Sequence, residues 1–182
     1  MSLSFGKAAV AGVAMLITGS YALAQTAPQN GPGTPGSMPH AMPGDGQTRQ
    51  EHIHEMGQTV MPFDLNKTTH IFRMTDSGGV QSVVVKDDRQ DKDQISLIRQ
   101  HLRHEAEAFR HGDYTDPTAL HGKTMPGVSE LEKYHAAIAV SYSDLPLGAA
   151  LTFKTDNRHL VTAIHRWFGA QLSEHGADAR PE

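Results

Sequence analysis

Apolar residues beyond about position 61 recur at the spacings of strands and helices. A β-branched run at 80–85 follows a turn signal at 76–79, and the apolar pair 71–72 precedes that turn, which predicts a first β-hairpin. Apolar side chains then recur every three or four residues between 94 and 111, which predicts an amphipathic helix.

The second half of the chain repeats this order. Alternating apolar residues on both sides of a turn at 144–148 predict a second hairpin, and an apolar stripe between 159 and 175 predicts a final helix. Between the halves, 113–127 is rich in turn residues, and 128–134 fits a short helix. A tandem ββα pseudo-repeat most simply forms one antiparallel sheet with both helices packed on one face, so we expect an α+β fold. The helices align at two different offsets, which leaves the equivalence of their histidines open.

The apolar faces of these elements define an expected core. Its members are Ile98, Leu102, Phe109, Ile138, Val140, Phe153, Ile164, Phe168 and Leu172. Trp167 lies on the other side of the last helix, so we expect neighbouring elements to cover that helix on two sides.

The first 24 residues have the pattern of a secretory signal peptide. Lys7 provides a positive charge, a short apolar run follows, and Ala22-Leu23-Ala24 forms a small-x-small site with cleavage after Ala24. We therefore expect export to the periplasm, with no stable membrane insertion after cleavage. Residues 25–60 hold many Pro and Gly and few large apolar side chains, which predicts a disordered tail before a single domain at 61–179.

Composition narrows the possible chemistry. The 182 residues contain no Cys, which excludes disulfides and thiolate metal sites, and the net charge of -4 argues against a nucleic-acid-binding protein. The chain is rich in His, with 12, and in Met, with 8. Imidazole and thioether groups are ligands that copper accepts, and imidazole also suits zinc. We therefore predict a metal site that takes copper first and zinc second.

Four residues form the candidate metal site: His101, Glu105, His121 and His165. His101 and Glu105 lie one turn apart on the first long helix. His165 lies within the apolar face of the last helix, so its imidazole needs a buried partner, and the pseudo-repeat leads us to expect it near His101. The alternative is a core histidine bonded to the backbone. Weaker candidate ligands are His104, His111 and His175 on the helices and His52, His54 and Met56 in the tail.

Several motifs resemble a functionally uncharacterised family of small exported proteobacterial proteins. They are His101-Leu102, Glu105-Ala106, Gly112-Asp113, Leu120-His121-Gly122, Met125-Pro126-Gly127 and Ile164-His165-x-Trp167-Phe168. The resemblance covers about residues 61–179, and members of that family are sometimes labelled aspartate carbamoyltransferase. This chain lacks the Ser-Thr-Arg-Thr carbamoyl-phosphate signature and is too short for that two-domain enzyme. The resemblance therefore supports the domain boundaries and not that activity.

Three functions are compatible with these features. The first is a periplasmic metal-binding protein that is not an enzyme. The second is a periplasmic ligand-binding or protein-interaction module with structural histidines and no metal, whose protein partner the sequence does not identify. The third and least favoured is a small hydrolase or lyase with His101 or His165 as general base and Glu105 as its orienting group, because no nucleophile or metal motif is complete.

Overall fold

Five strands form one mixed sheet in the computed structural model, which describes residues 45–86 and 91–182. The strands are β1 (Thr68–Thr75), β2 (Gly78–Val85), β3 (Ala139–Leu145), β4 (Gly148–Lys154) and β5 (Ala179–Pro181). Their order across the sheet is β3-β4-β2-β1-β5. The two predicted hairpins join through β2 and β4, and these four strands are antiparallel as expected, whereas β5 runs parallel to β1.

Helices precede, connect and follow the two hairpins. The α-helices are α1 (Asp45–Val60), α2 (Lys92–Arg110), α3 (Thr115–His121), α4 (Val128–Lys133) and α5 (Arg158–His175), with single 3-10 turns at Leu65–Lys67, His135–Ala137 and Gly176–Asp178. Asp91 caps α2 by accepting a hydrogen bond from the backbone N–H of Gln94 at 3.2 Å, and Asn157 caps α5 by accepting one from His159 at 2.9 Å. Within the described ranges, no helix combines the length and the apolar character needed to cross a membrane.

Both long helices pack on the same face of the sheet, α2 against β3 and β4 and α5 against β1, β2 and β5. An aromatic cluster joins the sheet to both long helices. The ring centroid of Phe153 in β4 lies 5.8 Å from that of Phe109 in α2 and 5.4 Å from that of Trp167 in α5. Trp167 also meets Tyr114, before α3, at 5.5 Å, so α5 is covered on two sides as predicted. These contacts confirm the α+β fold with its helices on one face.

The predicted core residues are all buried except Leu172, which is partly buried. The element order ββα does occur twice along the chain. However, α1, α3, α4 and β5 have no counterpart in a simple repeat, and the pseudo-repeat is not confirmed.

The predicted disordered tail at 25–60 is wrong from Asp45 onward, because α1 packs against α3 and α5. Ile53 provides its buried apolar anchor and is only 1% exposed. Ile53, Met56 and Val60 are spaced as on one helix face, but three apolar residues among so many polar ones form too weak a stripe to predict the helix. Residues 1–44, with the predicted signal peptide and the first part of the tail, lie outside the described residues.

Polar contacts over a long sequence separation complete the docking of α1. Gln50 Nε2 donates to the backbone oxygen of Ser173 at 2.8 Å, and His54 Nδ1 lies 2.5 Å from Asp178 Oδ2. Side-chain pairs of this kind depend on the folded chain and leave no local pattern in the sequence.

Two further elements were not predicted. Asp116 and Pro117 suggested a turn, but they lie in the first turn of α3, where a proline is tolerated because its missing N–H has no helical partner. β5 has three residues and pairs only with β1 among the described strands. A strand this short carries too few positions for an alternating pattern.

Replacing Ile53 by Ala tests the docking of α1. We expect the free energy of unfolding to fall by about 2–5 kcal/mol, because the change leaves a cavity under a buried side chain. The measurement is urea unfolding followed by circular dichroism. Met56→Ala is the matched control on the same helix, since Met56 is 38% exposed and its loss should change stability little. Equal effects of the two substitutions would contradict the packing of α1.

Candidate metal centre

A cavity of about 30 Å³ lies between α2, α3, α5 and the first two strands. This volume holds one or two water-sized groups. Its wall contains six ionisable side chains, an unusual concentration for so small a space: His70, His101, Glu105, Asp116, His121 and His175. The remaining lining residues are Met61, Gln81, Leu102, Phe109, Pro117, Trp167 and Gln171.

One imidazole and two carboxyl groups form the acidic side of the cavity. His101 and Glu105 lie one turn apart on α2, and Asp116 approaches them from the first turn of α3. One ligand atom from each residue lies within 4.8 Å of the other two. We call these three residues the acidic triad.

Burial controls the charge of the acidic triad. It raises the pKa of Glu105 to about 8, and the hydrogen bond and charge of Asp116 add to the shift. Burial also lowers the pKa of His101 to about 4, although the charge of Asp116 opposes this effect. At neutral pH the imidazole is therefore neutral, and Glu105 stays protonated and hydrogen-bonded to Asp116.

Three imidazoles form the other side of the cavity. His70 projects from β1, His121 ends α3 and His175 ends α5. The ring centroids of His70 and His175 lie 4.9 Å apart in a stacked arrangement, and those of His121 and His175 lie 4.8 Å apart edge to face. We call these three residues the histidine cluster.

The histidine cluster is uncharged at neutral pH. Burial lowers the pKa of His70 to about 4, and a charge on His101 would lower it further. Burial also lowers the pKa of His175 well below its usual value and that of His121 to a smaller degree, since Glu174 opposes the shift of His121. Neutral imidazoles have a free lone pair, which is the form that binds metal ions.

Four cavity-lining side chains have a buried polar atom with no hydrogen-bond partner among the described residues. The atoms are His70 Nδ1, His175 Nδ1, Gln81 Oε1 and Trp167 Nε1. An unpaired buried polar atom costs about 1–3 kcal/mol, and native proteins contain few of them. Ordered water molecules or a bound ligand usually satisfy buried atoms of this kind.

Helix α1 closes one side of this region through Arg49. Its Nη2 atom donates to the backbone oxygen of His121 at 2.9 Å and to Glu174 Oε1 at 2.8 Å. Glu174 in turn accepts a hydrogen bond from His121 Nδ1 at 2.7 Å. Arg49 thus fixes both the backbone and the hydrogen-bond partner of a cavity-lining histidine.

Three of the four predicted site residues line this cavity: His101, Glu105 and His121, together with the weaker candidate His175. His165 does not. Its Nε2 atom donates to the backbone oxygens of Thr75 at 3.0 Å and Gly78 at 2.8 Å, which fixes α5 to the first hairpin. The structure corrects the predicted shared site of His101 and His165, and the alternative of a histidine bonded to the backbone describes His165.

The other weak candidates also lie away from the cavity wall. His104 and His52 are exposed, and Met56 is exposed on α1. His111 bonds through Nδ1 to the backbone oxygen of Glu107, as befits a residue at a helix end. His54 pairs with Asp178, so its role is in the docking of α1.

Sequence reasoning missed His70 and Asp116. His70 shares the inward face of β1 with Thr68 and Phe72, and extending the strand alternation two residues earlier would have found it. Asp116 gave no such signal, because an Asp-Pro pair is typical of turns. Only the fold of α3 against α2 brings its carboxyl group to Glu105.

Comparisons with protein-family models, with curated proteins and with solved structures find no match for this chain. The resemblance suggested by its motifs stays a sequence-based expectation.

The cavity predicts how the stability of the metal-free protein depends on pH. The lowered pKa values of His70 and His101, about 4 against 6.5, mean that the unfolded chain binds more protons, so stability rises with pH between 4 and 6.5. The raised pKa of Glu105, about 8 against 4.5, has the opposite sign, so its contribution falls as pH rises from 4.5 to 8. We expect maximal stability near pH 6.5, because the buried imidazoles outnumber this carboxyl group.

Glu105→Gln should remove the fall in stability between pH 6.5 and 8, since the amide cannot ionise. Thermal melts in the presence of a chelator across this range provide the measurement. Glu107→Gln is the matched control, because Glu107 lies on the same helix with a side chain that is 62% exposed. An unchanged alkaline slope in Glu105→Gln would show that Glu105 is ionised in the folded protein.

Proposed function

We propose that this domain binds a divalent transition-metal ion, zinc first, at His101, Glu105 and Asp116. The observation that carries the proposal is the approach of one imidazole and two carboxyl groups to within 4.8 Å in a small, largely buried cavity. Three protein ligands with room for a water molecule is a common arrangement around zinc.

The distances fit such a site after a small contraction. Zinc binds imidazole nitrogen and carboxylate oxygen at about 2.0–2.2 Å, so tetrahedral ligand atoms lie about 3.4 Å apart. The ligand atoms of the acidic triad would therefore move together by about 1 Å or slightly more. The proposal therefore requires the Glu105 and Asp116 side chains to rotate by about this amount on metal binding.

The ligand types favour zinc over the copper that composition suggested. Two carboxyl groups are hard ligands, whereas Cu(I) prefers thioether and thiolate groups. The thioether of Met61 lines the same cavity, but the tail residues Met56, His52 and His54 do not. Cu(I) is therefore the competing ion in the test described below.

The cavity volume supports an ion rather than an organic ligand. Sites for small organic molecules have volumes of about 300–1,000 Å³, ten or more times the space available here. The same argument weighs against a hydrolase or lyase that would hold a substrate against His101. We also propose that the protein acts in the periplasm, as the signal-peptide pattern of the first 24 residues predicts.

Metal binding at this site should release a proton. Glu105 keeps its proton below about pH 8, and a metal ion can bind its carboxylate only after that proton leaves. Calorimetric titration of zinc chloride into the full mature protein at pH 7, repeated in two buffers of different ionisation enthalpy, measures the proton count. We expect tight binding with about one proton released at this site.

Glu105→Gln and Asp116→Asn should each weaken zinc binding at the acidic triad by about 100-fold or more, since changes to groups that only support a ligand already cost 10–100-fold. Glu107→Gln is the control and should bind as the unaltered protein does. Zinc binding that neither Glu105→Gln nor Asp116→Asn weakens would overturn the proposal. Tighter binding of Cu(I) than of zinc would overturn the choice of metal.

A further inference from the structure

The strand β3 lies at one edge of the sheet and pairs only with β4 among the described strands. Leu145 and Gly148 flank a two-residue turn, so they form a hydrogen-bonded pair, and the pairing alternates from there along β3. Val140, Tyr142 and Asp144 therefore direct their backbone N–H and C=O groups away from β4. An edge of this kind is a template for a further strand.

A stripe of basic side chains on α2 runs beside this edge. Its members Lys92, Arg99, Arg103 and Arg110 are separated by seven, four and seven residues. At 100° per residue they lie within about 40° of one another around the helix, and they extend over about 27 Å along it. We call these four residues the basic stripe. Its length slightly exceeds that of β3, which has seven residues.

The basic stripe contacts β3 at both ends and in the middle. Arg110 Nε donates to the backbone oxygen of Val140 at 2.9 Å, and this oxygen keeps a second lone pair for another donor. Arg99 Nη2 donates to the backbone oxygen of the last residue of β3 at 2.7 Å. Arg103 lies between them, with its guanidinium 4.9 Å from the ring centroid of Tyr142. The positive charges therefore follow the open edge along its whole length.

Positive charge is in excess here, although the chain has a net charge of -4. Lys92, Arg99 and Arg103 line a groove of about 790 Å³ between α2 and the turn after β3, and Asp144 is the one acidic residue among the described lining residues. Asp144 Oδ1 lies 3.8 Å from both guanidinium groups, and Glu107 pairs with the last member of the basic stripe at 2.9 Å. These two carboxylates offset two of the four charges. The Arg103 side chain is 65% exposed, so its charge is accessible to a partner.

We propose that the edge of β3 binds an extended, acidic segment of a partner protein as an additional strand. Main-chain hydrogen bonds to β3 supply the pairing, and every second side chain of the bound segment faces the basic stripe. The other side chains lie beside Ala139, Ser141 and Ser143, which are small and exposed on the opposite face of the sheet. The segment therefore alternates Asp or Glu with small residues.

A second copy of this chain fits the edge less well than an acidic partner. Symmetric antiparallel pairing of two β3 strands would place both α2 helices on the same side of the joined sheet, with the two basic stripes close together. Like charges in that position oppose association. The inference goes beyond the proposed metal site and does not depend on it.

The test is the fluorescence anisotropy of a labelled eight-residue peptide of alternating Glu and Thr, titrated with the full mature protein. The control peptide has four Glu followed by four Thr, so its charge is the same and its alternation is lost. We expect the alternating peptide to bind about 10-fold more tightly or better, because only this peptide presents all its carboxylates to the basic stripe. N-methylation of one alternate set of its amides should abolish binding and that of the other set should not, since one side of the peptide pairs with β3.

Variants of the protein test the basic stripe. Arg103→Glu should weaken binding of the alternating peptide by about 10-fold or more, because it replaces an attraction by a repulsion. Arg180→Glu is the matched control with the same change of net charge, since Arg180 is exposed in β5 at the opposite edge of the sheet. Asp144→Ala should tighten binding by about threefold, because it removes a carboxylate that competes with the peptide.

Three results would overturn the proposal. Equal binding of the two peptides, or equal effects of Arg103→Glu and Arg180→Glu, would indicate non-specific attraction between charges. Binding that N-methylation of neither amide set weakens would exclude strand pairing. Sedimentation of the protein as a dimer that the alternating peptide does not dissociate would assign the edge to a second copy.

A measurement on the unaltered protein covers the case in which a variant fails to fold. Amide hydrogen exchange of the ¹⁵N-labelled protein reports which backbone N–H groups gain a partner. Excess alternating peptide should slow exchange at Val140, Tyr142 and Asp144 and leave that of Arg180 unchanged. Unchanged exchange along β3 would overturn the proposal.

Discussion

Glu105 and Asp116 hold two carboxyl groups close together beside the imidazole of His101, that of Glu105 buried and that of Asp116 partly exposed. Two ionised carboxylates at this distance repel each other, and burial leaves the Glu105 carboxylate poorly solvated. The folded protein has two ways to relieve this conflict: a proton on Glu105 or a cation between the oxygens. The electrostatics of the rest of the cavity follow from the same burial, since every cavity histidine with a resolved shift is held in its neutral form.

The aromatic core keeps this arrangement in place. Trp167 and Phe153 pack against Phe109, which lies one helical turn beyond Glu105 on α2. Tyr114 stacks on Phe109 at 4.5 Å and precedes α3 directly, so the helix that carries Asp116 starts from a fixed point. Apolar packing thus supplies the stability that offsets the burial of polar groups, and it also sets the spacing between the two carboxyl groups.

Sequence periodicity predicted what depends on local pattern. The apolar stripes gave α2 and α5, strand alternation gave both hairpins, and the i, i+4 spacing placed His101 beside Glu105. The pattern failed where a contact depends on the folded chain. Asp116 reaches Glu105 only through the path of α3, and α1 docks through one apolar residue, Ile53, and polar contacts with α5 and the turn after it. Asp116 leaves no periodic signal, and that of α1 is weak.

The histidines show why burial on an amphipathic helix does not identify a ligand. His165 lies on the apolar side of α5, which correctly implied a partner, and the turn of the first hairpin supplies two backbone oxygens for it. His175 lies on the same helix, but one of its nitrogens faces a cavity and has no partner among the described residues. The position on the helix therefore does not distinguish His165 from His175. The difference is whether the facing element presents carbonyl groups or an open space, and that is set by the packing of distant segments. A buried histidine is therefore a candidate ligand only when the protein leaves one of its lone pairs unused.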